Sequence, residues 1–509
     1  MKQYLSENRL KFRQAVCFTL LCYLLCHGYR LFSLLFTGDT LLMFYEDDAA
    51  WQIAVGRFCF PFLIMLRGSL EVPWLLSALA MLWMCGAVCL TVEMFSLTKW
   101  WQILAVSLLY CTNPSFTALN ATDLYCIDFY ALALFLALLG ARLCLEKKFL
   151  PCLFAVLAFT VSLGIYQAYI CVALGVLMLR LIPDLQREKK FMPVLKEALR
   201  MGICLLSAAV LYVICFKLFQ KVFNIWTAKT FIDLDGLGDY SETSVFSALK
   251  ETFARVWQYV KDPTVFVSLT FRGKDMSVIW SWILRISELG LAGLALWRLF
   301  LTSKRRGSKW WQYGLQALLL VLFPLGVNFV CFASKGMQHP LMCFAFCLLW
   351  FIPVLAEKEG GAKFSCALPL IALLSWSNIV YANQVYVKIE TRDMAAQELM
   401  NGVQQTITQT EGYIPGETTV AFVGSFNDNP YIQPFERLQR LEEWSMRKTA
   451  LAYSGTEEAY YRYFSAIGMK AERPAEVTEE MRAMPVYPQK GYAAMIDGVM
   501  VVKLSEEVE

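Results

Sequence analysis

The chain has 509 residues, 58% of them hydrophobic and 17% charged, with a formal net charge of +4. Soluble domains usually carry about 45–50% apolar and about 25% charged residues, so a soluble globular fold is excluded. No basic tract is long enough for nucleic-acid binding. Two histidines rule out a histidine-rich metal centre and leave a carboxylate-bound Mg²⁺ or Mn²⁺ open.

The N-terminal Met1–Arg13 is polar and basic, and an apolar run follows to Phe36. That run is longer than a signal-peptide core of about 7–15 residues and lacks a cleavage site, so it reads as an uncleaved first transmembrane helix. Further apolar runs at 74–97, 100–118, 124–145, 149–164, 167–183, 200–222, 278–301, 312–333, 339–356 and 364–384 predict eleven crossings in all. The stretch 149–183 is either one overlong helix or two. Arg142, Lys147 and Lys148 precede it, and Arg180, Arg187, Lys189 and Lys190 follow it. Short Lys/Arg-rich loops stay in the cytoplasm, so both ends fall on the same side and the chain crosses twice, reversing at Ser162–Gln167. The N-terminus and the clusters at 304–309 and 357–363 then lie inside, and 37–73, 119–128, 223–277 and 385–509 lie outside. The 17 cysteines all fall between Cys17 and Cys366, mostly in apolar runs with no CxxC pair. They read as small apolar packing residues.

Two outer parts stand out. In the loop 37–73, Trp51–Leu70 is apolar but carries Arg57 and Arg67, which predicts one interfacial or re-entrant helix. From 385 the chain reads as a small α/β domain, with helices at 389–407 and 457–467 and strands at 418–423 and 494–504. The expected division is a membrane core over 1–384 and an extracytoplasmic domain over 385–509. No internal repeat of the kind that builds many transporters is visible.

The acidic triplet Glu46, Asp47 and Asp48 sits where water meets the bilayer. A carboxylate there could take a proton from an acceptor hydroxyl attacking a lipid-linked sugar. The alternative is three acids favouring the positive end of the helix that follows. Asp128 lies inside the start of a span, where an ionisable group is costly and therefore a functional candidate; Asp123 reads as a surface residue. A leaving phosphate needs cationic donors, and Arg57, Lys335 and His339 are the leading candidates, with Arg67, His27 and Arg30 beside them. Snorkelling to headgroups is the bland alternative, and the favoured one for Arg67. Trp51, Tyr166 and Gln167, with Glu46, are candidates for a sugar or acceptor pocket through stacking and hydrogen bonding. Asn120-Ala121-Thr122 matches a glycan-acceptor sequence, a pattern frequent by chance.

Taken in order, Asp47-Asp48-Ala49-Ala50-Trp51, Gly56-Arg57-Phe58, Thr112-Asn113-Pro114, Asn120-Ala121-Thr122 with Asp128, Ser162 through Tyr169, Lys335 through His339 and Asn383 through Tyr386 form a recognisable series. The tail adds Ala421 through Gly424 and Tyr487-Pro488. The series resembles the GtrII-type glucosyltransferases, bacterial polytopic membrane enzymes. The resemblance implies a GT-C-like helical membrane fold and inverting transfer of glucose, or a related hexose, from undecaprenyl phosphate to a surface glycan. It also implies a catalytic acid in the first outer loop, Asp47 or Asp48, and residence in the bacterial cytoplasmic membrane. The expected partners are thus a polyprenyl-phosphate sugar, a surface glycan and membrane lipid. A flippase for polyprenyl-linked glycans and a non-catalytic scaffold are the rival readings.

Overall fold

The computed structural model describes residues 2–33, 50–68, 72–188, 190–227, 244–261, 270–271, 274–275, 277–424, 429, 464, 468–472 and 476–506. Apart from its C-terminal part it is almost entirely helical. The long α1 (Lys2–His27), polar and basic in its first half and apolar in its second, ends in a 3₁₀ turn over Gly28–Leu31 and packs against α4 (Pro73–Met94) and α5 (Trp100–Cys111). Between them lie two short helices, α2 (Ala50–Ala54) and α3 (Phe60–Arg67). The single helix, interfacial or re-entrant, expected over 51–70 is therefore broken. The break falls at Gly56, whose φ of +83° is a conformation that side chains with a Cβ disfavour.

The expected span 100–118 is also broken. Pro114 lacks an N–H and restricts the residue before it. Asn113 instead caps α6 (Pro114–Thr122), its side chain accepting from Ser115 N at 2.9 Å while its Nδ2 donates to Phe344 O at 2.8 Å. The 12 residues of α5 rise only about 18 Å, short of a hydrocarbon core of roughly 30 Å.

Two helices do occupy 149–187. The first, α8 (Phe149–Ile165), ends at an extended Tyr166, and α9 (Ile170–Arg187) begins after a 3₁₀ turn. Both pack on α7 (Ile127–Cys144), which also packs on α4. Next come α10 (Phe191–Phe223), the amphipathic α11 (Val245–Lys261), a two-residue-per-strand hairpin of β1 (Thr270–Phe271) and β2 (Lys274–Asp275), and α12 (Ser277–Arg305). These lead to α13 (Trp310–Val327) and α14 (Phe329–Ala333). The expected span 339–356 is instead two 3₁₀ turns, Pro340–Met342 and Phe344–Leu349, followed by α15 (Phe351–Glu359). Cys343 through Leu348 are all buried, the condition under which irregular backbone is tolerated inside a helical membrane bundle.

Six helical segments among the described residues are long and apolar enough to cross a membrane: 73–94, 124–144, 167–187, 191–223, 278–305 and 310–327. The eleven crossings counted from hydropathy exceed this. Apolar composition cannot distinguish a continuous helix from a broken one, and α5 and α8 (17 residues) fall short of that length.

The last helix, α16 (Ala367–Gln409), is 43 residues long and passes through the expected domain boundary at 384/385 without interruption. Its start is capped by Glu357, whose carboxylate accepts from Ser365 Oγ at 2.6 Å, Cys366 N at 2.7 Å and Ala367 N at 3.2 Å. Its far end carries Leu399, Met400, Val403 and Ile407 against one face of a three-stranded sheet. In that sheet β3 (Val420–Val423) runs parallel to β5 (Val499–Lys503), and β4 (Ala493–Ile496) pairs antiparallel on β5's other side. The closing strand expected over 494–504 is thus a hairpin. Asp497 and Gly498, both at positive φ, make its two-residue turn. A short α17 (Glu479–Ala483) supplies Met481 to the opposite face, packing near Val423, Ile496 and Val501. Most of the helix expected at 457–467 lies outside the described residues.

Candidate functional site

The site is built on the chain break between α2 and α3. At Gly56 the backbone turns, with Arg57 N donating to Gln52 O at 2.7 Å. Gln167, in the reversal between α8 and α9, fastens this turn: its Nε2 donates to Val55 O at 2.9 Å and to Tyr212 Oη at 3.0 Å. The Tyr212 hydroxyl donates in turn to Gly56 O at 3.1 Å, and Cys59 N donates to Gly164 O at 3.0 Å. The approach at Gly164 is close enough that a Cβ there would lie 2.7 Å from the Phe58 ring.

Held this way, Arg57 projects toward two stacked tyrosines. Tyr130 and Tyr166 lie 4.1 Å apart, and the guanidinium carbon is 5.5 Å from each ring centre, within cation–π range. Nη1 donates to Gln52 Oε1 at 3.1 Å. Nε is buried with no hydrogen-bond partner among the described residues. Beside this pocket, in the first turn of α7, Asp128 Oδ1 accepts from Arg67 Nη1 at 2.6 Å, with the two side chains 4% and 7% exposed. The pair joins the C-terminal end of α3 to the N-terminal end of α7, each charge at the helix end that favours it. Arg67 also lies 4.2 Å from the centre of the Phe129 ring. The snorkelling read for Arg67 is therefore overturned: its partner is a carboxylate, not the headgroup layer.

Asp123, expected at the surface, is buried, and Thr122 Oγ1 donates to it at 2.5 Å. Cys126 Sγ donates to Asp123 O at 3.2 Å. Asn120 is buried and donates to Phe116 O at 2.9 Å, so the glycan-acceptor reading fails.

Other candidates lie further out. Lys335 sits in a left-handed turn at φ +57°, and His339 Nδ1 accepts from Leu341 N at 3.4 Å. The 3₁₀ turn that His339 caps packs on α6. This segment is linked to the Arg57 pocket by rings, from Phe344 to Tyr169 at 5.5 Å and from Tyr169 to Tyr166 at 5.3 Å. Trp51 is 55% exposed, unlike its buried neighbour Gln52. His27 donates from Nε2 to Cys111 O at 2.8 Å, so its Nδ1 accepts from the Tyr386 hydroxyl at 2.6 Å. Arg30 is fully buried and donates from Nε to Asn120 O at 2.7 Å. Both tie elements together within the bundle. Glu46, Asp47 and Asp48 lie outside the described residues. Among the described residues no group of three or more His, Cys, Asp or Glu is placed to hold a metal.

Sequence reasoning missed Gln52, Tyr130 and Tyr212, and the partnership of Arg67. Tyr212 carried one signal, a phenol amid the apolar residues of a long span. For Arg67 none existed, because its partner is 61 residues away.

This largely buried cluster of cations, a carboxylate and phenols lies in a chain with six helical segments long and apolar enough to cross a membrane among its described residues, the pattern of a polytopic membrane protein. The model of the family described as glucosyl transferase GtrII matches residues 28–357, more than half of the chain. The protein belongs to the GtrII glucosyl transferase family, and membership makes it a glucosyltransferase. The matched region holds Arg57, Arg67, Asp128, Tyr166, Gln167, Lys335 and His339, and stops short of α16 and the sheet. No curated protein and no solved structure matches the chain.

Proposed function

We propose that the protein transfers glucose from a polyprenyl-phosphate carrier to a surface glycan, working at the outer face of a bacterial cytoplasmic membrane in a GT-C-like bundle. The observation that carries this reading is Arg57. Its guanidinium lies beside two stacked tyrosines with a buried Nε that no described group uses. Such a donor is suited to the oxygens of a phosphate as charge builds on it.

In the proposed reaction an acceptor hydroxyl attacks the anomeric carbon of glucose. The bond from that carbon to the phosphate oxygen breaks, and the polyprenyl phosphate leaves with the electron pair. A carboxylate of the first outer loop, Asp47 or Asp48, takes the hydroxyl proton. Asp128 fits a positioning role better than that of the base, because one of its oxygens is already held by Arg67. Lys335 supplies a second cation for the leaving phosphate and His339 a neutral donor through Nε2, since its Nδ1 accepts from Leu341 N, and Tyr166 and Gln167 shape the pocket. A divalent cation enters this scheme only through the first-loop acids.

The test uses purified chain in lipid, supplied with polyprenyl-phosphate glucose labelled in the sugar and a crude surface-glycan acceptor. Label should move to the glycan, and Asp47→Asn or Asp48→Asn should stop it. Arg57→Gln should lower transfer by about 10²–10³, the usual effect of losing one charge-stabilising donor. Repeating the assay with EDTA tests the cation. Transfer that survives Arg57→Gln unchanged would remove the phosphate role. A native chain that moves the lipid between leaflets without transferring sugar would replace the enzyme with the flippase.

A further inference from the structure

Away from this site, α8 and α10 pack together and leave a groove of ≈ 510 Å³ between them. Leu153 and Val156 of α8 and Leu199 and Ile203 of α10 supply its apolar wall, and Lys196 and Arg200 its polar end. The wall is open to the surroundings, with Ile203 63% exposed. The polar end is underused. Lys196 is exposed and has no ion-pair partner among the described residues. Arg200 reaches Leu145 O only at 3.3 Å and Glu197 Oε1 at 3.4 Å, and its Nε is buried without a hydrogen bond.

The depth suits a lipid. The 33 residues of α10 span about 50 Å, well beyond a hydrocarbon core of roughly 30 Å. Its first turns therefore stand at headgroup level while Ile203 reaches the acyl region. Lys147, Lys148 and Lys190 mark the same end of the bundle as the basic, cytoplasmic one.

We propose that this groove is a binding site for an anionic phospholipid of the inner leaflet, with one acyl chain along Leu153, Val156, Leu199 and Ile203 and the phosphate on Lys196 and Arg200. The charge matches: two cations against Glu197 leave one net positive charge, which complements the single negative charge of a phosphodiester. Basic pockets between membrane helices on the cytoplasmic side recognise anionic headgroups by this means. The site is independent of sugar transfer.

The full-length protein, purified and exchanged into vesicles of phosphatidylcholine and phosphatidylglycerol, is read by native mass spectrometry for retained lipid. The native chain should retain phosphatidylglycerol preferentially. K196Q/R200Q should lower that preference about thirtyfold, the factor expected from two cations at an anionic headgroup. I203W should expel the acyl chain with both charges intact, and it carries the test if the double variant fails to fold. Equal retention of both lipids, retention unaffected by I203W, or displacement of phosphatidylglycerol by an equal amount of polyprenyl phosphate would each overturn the assignment.

Discussion

Asp128 and Arg67 face each other across 2.6 Å with almost no water around either side chain. Removing one partner of a buried ion pair leaves a bare charge and costs about 3–5 kcal/mol, whereas replacing both with apolar groups is often neutral. Arg67→Ala and Asp128→Ala should each lower the thermal unfolding temperature sharply. The double variant Arg67→Met with Asp128→Leu should recover it without recovering glucose transfer. Recovery of both would make the pair structural only. At this scale the sequence was legible where chemistry alone marks a residue, as for Asp128 in a span or Arg57 in an apolar stretch. It was illegible where the role depends on a partner. Arg67 looks like any boundary arginine until α3 is placed against α7, and Tyr130 becomes a stacking surface only when Tyr166 lies 4.1 Å away.

Among the elements, most helices follow from hydropathy, and the reversal near Gln167 follows from charge. The broken ones do not. Asn113-Pro114 is readable as a break, but the 3₁₀ run through Phe344–Leu349 is irregular because neighbouring helices bury it, a cause no local pattern carries. The basic end of the bundle is drawn together by Glu359, which accepts from Arg306 Nη2 at 2.7 Å, Arg187 Nη2 at 2.9 Å and Lys358 Nζ at 3.1 Å. Burial alone would raise this carboxyl, but Arg306, Lys358 and Arg187 override it and bring it from 4.5 to about 2. A depressed folded-state value means that the stabilisation is complete above about pH 4.5 and is lost as pH falls toward 2. Unfolding temperatures measured across that window should drop, and Glu359→Gln should flatten the slope. An equal slope in the variant would assign the acid sensitivity to other groups.

Across the whole molecule, membrane bundle and C-terminal sheet share one helix. Because α16 runs unbroken from Ala367 to Gln409 and seats the sheet on Leu399, Met400, Val403 and Ile407, the sheet's orientation is fixed by helical phase. Two residues inserted after Glu390 would rotate it by about 200°, while seven would return it nearly to register. If the sheet helps present the acceptor, the two-residue insertion should abolish transfer and the seven-residue one restore part of it. Equal activities would show that its orientation is immaterial. The same continuity makes α16 a lever arm. From Ala367 to Leu399 it measures about 48 Å, so a change of about 10° in tilt swings the sheet by about 8 Å. Any change in how the first turns of α16 lean on the bundle is thereby carried undiminished to the sheet, because no break interrupts the helix between Ala367 and Gln409.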